Sequence, residues 1–284
     1  MLRFDRRSLL ALGAGAALTG CGSRDPWAGV DATGFVRLEE HRREGLAALE
    51  RGKPGASAAV REFSAIRDAL PGEALGPLNL AVAHLLAGQP RPALNPAREA
   101  VELLPSRSLP RIVLARALEA DGQQDAAEQG YQYASRGEPD NPQALGVFVE
   151  HLTRVPDKDQ SKRLFPRRKR LAQMLPQEPA ARFAWFFSLV ERGHAPEALE
   201  ELGTALRTLP DPAAVEGPAL AALRRALQAP ARSVPPDVRP FEQVLLSCPA
   251  YAKSRRALFG DPGHPEDLAL RQWDHPPPPR LARR

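Results

Sequence analysis

Residues 74–107 read ALGPLNLAVAHLLAGQPRPALNPAREAVELLPSR. In the first half, Leu78, Ala81, Val82, Leu85 and Leu86 fall at i, i+3, i+4, i+7 and i+8, the stripe of a helix with one apolar face. Gly88 suits the left-handed position that ends such a helix, and Pro90 or Pro92 suits the opening turn of a second. The second helix carries Ala93, Ala97, Ala100, Val101 and Leu104 on one face, and Pro105 closes it because proline cannot donate into a helix interior. Alanine at 81, 93 and 100 lets two helix axes approach more closely than larger side chains would. The stretch predicts a tight helix pair in 34 residues.

The same register extends in both directions. Prolines stand at Pro71, Pro105, Pro139, Pro176 and Pro210, at intervals of 34, 34, 37 and 34 residues. Gly52, Gly88, Gly122 and Gly193 keep step with Ala59, Ala93, Ala127 and Ala198, and both series end on a gap of 71, one interval of 34 and one of 37. A period of this length marks stacked units, none of which can bury its apolar face alone. Proline and glycine together make up 51 of the 284 residues, well above the roughly 12% average. The recurrent ones read as helix punctuation rather than linker. With 43% hydrophobic residues but only 6% aromatic ones, alanine and leucine must fill most of the core.

The pattern resembles the tetratricopeptide repeat. In the 74–107 unit Leu80, Ala81, Gly88, Ala93, Ala100 and Pro105 sit at the family's slots, and in the 108–141 unit Leu114, Ala115, Gly122, Ala127, Tyr131, Ala134 and Pro139 do. The 179–212 unit offers Trp185, Gly193, Ala198, Ala205 and Pro210, with Phe186 where a small residue belongs. The 38–73 unit has Gly45, Gly52, Ala59, Phe63 and Pro71 around a short insertion at Pro54 and Gly55. The 142–178 unit departs furthest, with Pro156 at the turn glycine, Ser161 or Leu164 at the alanine, and an insertion. The resemblance implies an all-α fold, a right-handed superhelical array of about five helix pairs over residues 38–212 with a concave groove. Residues 213–229, with Leu220, Leu223 and Leu227 on one face, read as a capping helix. In 230–284, Val244-Leu245-Leu246 and Ala257-Leu258-Phe259 predict short helices. His275 to Arg284, with four consecutive prolines, predicts a poorly ordered tail.

Residues 1–20 read as an export signal. Arg3, Arg6 and Arg7 against Asp5 precede an uncharged run from Leu9 to Leu18, a charged region followed by an apolar one. The run is too short to span a bilayer as a permanent helix. Leu18-Thr19-Gly20-Cys21 resembles the lipobox of bacterial lipoproteins, which implies cleavage before Cys21 and lipidation of its thiol. Arg6-Arg7-Ser8-Leu9-Leu10 resembles a twin-arginine export motif, from which Asp5 departs. Several acyl chains anchor a protein stably where one does not. Gly22, where the lipoprotein family's inner-membrane retention signal would be Asp, implies the outer membrane, facing the periplasm, with residues 21–37 as a tether. Lipidation of Cys21 leaves Cys248 without a disulfide partner, and a lone cysteine of this kind reads as a small buried apolar residue, with an exposed reactive thiol as the alternative.

Chemistry is scarce. Without residues 1–20, which hold three arginines and one aspartate, the formal charge falls from +5 to +3, too modest a balance to suggest nucleic acid as a partner. The six histidines, at 41, 84, 151, 194, 264 and 275, include no i, i+4 pair, and there is no glycine-rich phosphate loop or nucleophile elbow. The expectation is a protein that is not an enzyme, with no cofactor and no metal.

The resemblance places function in the groove, which the first helix of each unit lines. Carried over, it names Leu75, Leu78, Val82, Leu85 and Leu86, then Leu109, Ile112, Arg116 and Glu119, then Gln143, Glu150 and Arg154, then Phe183, Phe187 and Val190. Such a face suits an extended or helical peptide, or it packs against a further helix of the same chain. Arg42 and Asn79 stand at two slots of the family's carboxylate clamp, but Leu46, Leu109 and Val113 fill the other three. A separate candidate is the basic run Lys162, Arg163, Arg167, Arg168, Lys169 and Arg170, which suits anionic lipid or an envelope polymer or is a solvated helix face. The leading expectation is a lipid-anchored scaffold that binds a protein or peptide partner at the bacterial cell envelope. The alternatives are the standalone or truncated head of a larger secreted protein of the FG-GAP and ASPIC type, and a binder of anionic lipid or polymer through 162–170.

Overall fold

The computed structural model describes residues 25–155, 158–229 and 234–282, so the expected signal peptide, Cys21 and Pro156 lie outside the described residues. Among those described there are fourteen α-helices and no strand. Ten helices form five consecutive pairs: α1 (Ala32–Glu50) with α2 (Ala56–Ala69), α3 (Leu75–Leu86) with α4 (Pro90–Leu103), α5 (Ser108–Ala120) with α6 (Gln124–Gly137), α7 (Pro142–Arg154) with α8 (Gln160–Met174), and α9 (Pro179–Glu191) with α10 (Ala195–Arg207). Each helix packs on the one before and the one after it in a single stack.

The periodic residues do the local work that their spacing predicts. Gly88 has φ +71°, its N–H donates to the Leu85 carbonyl at 2.9 Å, and the Gln89 N–H reaches the His84 carbonyl at 2.9 Å. This closure satisfies the last carbonyls of α3 and needs a left-handed residue. Gly122 and Gly193 repeat it at the ends of α5 and α9. Pro71, Pro105, Pro139, Pro176 and Pro210 each fall within two residues of the C-cap of a second helix. Ala59, Ala93, Ala127 and Ala198 are fully buried. The fourth unit keeps the helix pair despite its divergent sequence. Leu164 is buried in place of the alanine, and Phe165 meets Trp185 edge-on at 4.7 Å, joining the fourth unit to the fifth.

The start of the array differs from expectation, and its end carries the expected capping helix and short helices and continues beyond them. The tether expected over 21–37 is largely structured. Helix α1 starts at Ala32, where Asp31 caps it by accepting the Gly34 N–H at 2.6 Å. Trp27 is buried, edge-on to Phe35 at 5.7 Å and to Trp273 at 5.2 Å, because these large apolar groups find a shared pocket at the first repeat. After α10, helix α11 (Pro218–Gln228) buries Leu220, Leu223 and Leu227 beside it. Next come α12 (Arg239–Ser247) and α13 (Pro249–Phe259), and α13 lies across α7 and α9. Gly146 permits that crossing, since a Cβ there would stand 2.2 Å from the Leu258 carbonyl oxygen. A 3-10 turn, Pro265–Leu268, then packs on α3, and α14 (Pro279–Ala282) touches α1.

Residues 234–282, for which short helices and, from His275, a poorly ordered tail are expected, run back along the array from its last repeat to its first. Tyr251, Leu258, Phe259 and Leu268 bury their side chains along this path, and Cys248 is buried at the start of α13. The apolar area removed from water holds the segment on the array.

Candidate functional site

The expected groove residues sit on the first helices of the repeats, and most are covered. Leu75, Leu78, Val82, Ile112 and Phe183 are buried, as are Leu86, Phe187 and Val190, while Leu85 and Leu109 are half-buried against the core. The cover comes from this chain. Phe183 meets Phe241 of α12 at 6.0 Å and Tyr251 of α13 edge-on at 5.5 Å, and Glu150 pairs with Arg255 of α13 at 3.0 Å. At both ends of this face the chain packs against a further part of itself, one of the two alternatives that the sequence left open.

Over the first two repeats the cover is an irregular segment held by polar contacts. Asn79 is fully buried, donates from Nδ2 to the Leu270 carbonyl at 2.8 Å and accepts the Leu270 N–H on Oδ1 at 2.7 Å. Arg42 donates to the Arg271 carbonyl at 2.7 Å. Glu73, also fully buried, accepts the backbone N–H groups of Asp274 at 2.6 Å and His275 at 3.0 Å. Trp27 Nε1 donates to the His275 carbonyl at 3.0 Å. Arg42 and Asn79, the two residues at clamp slots, thus hold an internal stretch of backbone. Nothing in residue type or spacing singled out Glu73, Trp27 or the segment 268–275 beforehand.

In the middle of the array the groove stays open as a cleft of about 700 Å³. One wall carries Leu85, Arg116, Glu119, Gln143 and Arg154 from the repeats, and the other carries Lys253, Arg256, His264 and Asp267 from the returning chain. Glu119 anchors the first wall. It lies 2.7 Å from His151 Nδ1, accepts Arg154 Nη2 at 2.9 Å and the Tyr131 hydroxyl at 2.9 Å, and stands 3.4 Å from Arg116 Nη1. Burial alone would raise its pKa, but the hydrogen bond from His151 and the charge and hydrogen bond of Arg154 hold it down at about 2. Burial pushes the Tyr131 phenol up, so it serves as a fixed donor. The cleft thus has a rigid, charged floor. On the opposite wall Arg256 is paired with Asp267 at 2.7 Å, while Lys253 is exposed.

The basic run on α8 does not form one face. Arg168 is buried, donating to Ser188 at 3.2 Å and pairing with Glu191 at 3.2 Å. Arg163 pairs with Glu128, and Arg167 donates to the Arg163 carbonyl at 2.6 Å and lies 4.8 Å over the Phe148 ring. Lys169 stands 5.9 Å over Trp185, Arg170 donates to the Pro139 carbonyl at 2.8 Å, and Lys162 pairs with Asp159 at 2.8 Å. The helical turn of about 100° per residue distributes these charges around α8.

No family model and no curated relative matches the chain. Among solved structures it is similar to pilF of Pseudomonas aeruginosa, at 14% identity and TM-score 0.53, over 81% of this chain and 96% of that one. It is also similar to YrrB, described as a TPR protein with an unusual peptide-binding site, at 16% identity and TM-score 0.46, over 72% of this chain and 95% of that one. A third is MamA, at 16% identity and TM-score 0.48, over 61% and 91%. These identities speak to the fold alone, which is a TPR-like array of paired helices.

Proposed function

We propose that the chain is a protein-binding scaffold, lipid-anchored through Cys21 at the bacterial cell envelope, and that its partner enters the central cleft. The observation that carries this reading is the cleft itself, about 700 Å³ left open between the repeats and the returning chain, with charged walls of both signs. A fixed, partly apolar recess with a few convergent charges selects a protein segment by shape and charge rather than by reaction chemistry. Anchoring is supported by the lipobox-like Leu18-Thr19-Gly20-Cys21 alone.

Because Leu78 and Ile112 are buried, the test uses cleft residues that are exposed, Gln124 and Lys253. Capture from detergent-solubilised envelope is compared between wild type and Gln124→Arg plus Lys253→Glu. A partner held by wild type and lost by the variant, at equal helicity, supports the cleft. An unchanged set of captured proteins contradicts it. Fatty-acid labelling that persists in Cys21→Ser would contradict the anchor.

A further inference from the structure

We propose that the inner face of α1–α3 is a peptide-reading site, that residues 268–275 are its resident ligand, and that in trans it takes an extended segment with the pattern Leu-basic-x-Trp. This deepens the scaffold reading above and rests on it. The contacts divide as those of a bound peptide do. Asn79 binds both backbone groups of Leu270, Arg42 the carbonyl of Arg271, Glu73 two successive N–H groups, and Trp27 the carbonyl of His275. Side chains that grip backbone fix the path of a segment whatever its sequence.

The selecting contacts are separate from these. Arg271 pairs with Glu50 at 2.8 Å. Trp273 donates its Nε1 to Glu39, lies edge-on to Trp27 at 5.2 Å, and has the Arg42 guanidinium 6.0 Å over its ring. Leu268 is buried, and Leu270 packs against the core. The pattern read is therefore leucine, a basic residue next to it, and tryptophan three residues past the leucine.

Asn79 and Glu73 are fully buried beneath the seated segment, so an occupant that covers them without offering backbone partners leaves hydrogen-bonding capacity of an amide and a carboxylate unmet. A competitor that cannot offer the same backbone groups is rejected on that ground, which supplies selectivity. The resident segment follows a turn at Gly260 (φ +67°) and is tethered at high effective concentration, so binding in trans is weak while it is seated.

The test titrates a fluorescent peptide of residues 266–276, EDLALRQWDHP, into three full-length proteins. These are wild type, Leu270→Asp plus Trp273→Ala, and that double variant carrying Asn79→Ala as well. The expected result is at least tenfold tighter binding to the double variant than to wild type, lost again with Asn79→Ala and absent for a scrambled peptide. A double variant of unchanged helicity that binds no better than wild type overturns the proposal. Should that variant fail to fold, a cleavage site inserted at Gly263 and cut in the folded wild type gives the second test. The resident fragment must stay bound and exchange with the labelled peptide, and loss of the fold or failure to exchange overturns the proposal. Capture of an envelope partner that depends on Lys253 but not on Asn79 separates failure of this inference from failure of the scaffold reading.

Discussion

Glu119 on α5 and Glu201 on α10 show how two carboxylates of one array answer pH in opposite senses. Glu119 is held at about 2, so its contribution to stability is complete above the ordinary value of 4.5 and is lost as pH falls from there towards 2. The shift corresponds to on the order of 3 kcal/mol, and Glu119→Gln should lower Tm at pH 7 with a much smaller effect near pH 2.5. Glu201 behaves the other way: burial raises it to about 6 against the pull of Arg182, 2.8 Å away. Its contribution is full below 4.5 and is lost as pH rises through 6, so the Tm of Glu201→Gln relative to wild type should rise between pH 5 and pH 7.5. Thermal melts from about pH 2.5 to pH 7.5 check both signs. Glu119 and Arg116 were legible as groove positions. That Glu119 gathers His151 and Arg154 was not, because those partners lie 32 and 35 residues on and meet it only when adjacent repeats stack.

At the scale of helices, the turns were readable from spacing because each is fixed by local backbone chemistry. Gly88→Val should cost about 1–2 kcal/mol by placing a branched residue in left-handed backbone, a loss visible as a lower urea midpoint at unchanged slope. Gly146 belongs to another category. It lies inside a helix, and its reason is the Leu258 carbonyl of α13, to which no period in the sequence points. Gly146→Val should push α13 off α7 and expose Cys248 at its N-terminus, so thiol labelling in a Cys21→Ser background should speed up while the repeats remain helical. The early start of α1 has the same character. Asp31 is an ordinary N-cap, but Trp27 is held, besides Phe35, by Trp273 and the His275 carbonyl from the far end of the chain.

For the whole molecule, the array was legible and its closure was not. Residues 38–212 repeat a register, whereas residues 234–282 have none, and the stretch 269–275, without period or helix, can be placed only by the groups that receive it. Those groups, Asn79, Glu73 and Arg42, carry no mark in the sequence beyond two clamp slots that bind something other than a terminal carboxylate. The expected groove positions lie on the first helices of the repeats, and the chain covers both ends of that face and leaves the central cleft.

Amide hydrogen exchange of the intact protein, followed at Leu270, Asp274 and His275, tests this closure most directly. Their N–H groups donate to buried Asn79 and Glu73, and the account predicts protection approaching that of helices α3 and α5. Exchange of these amides at the rate of an unstructured peptide, with the repeat helices still protected, would contradict it.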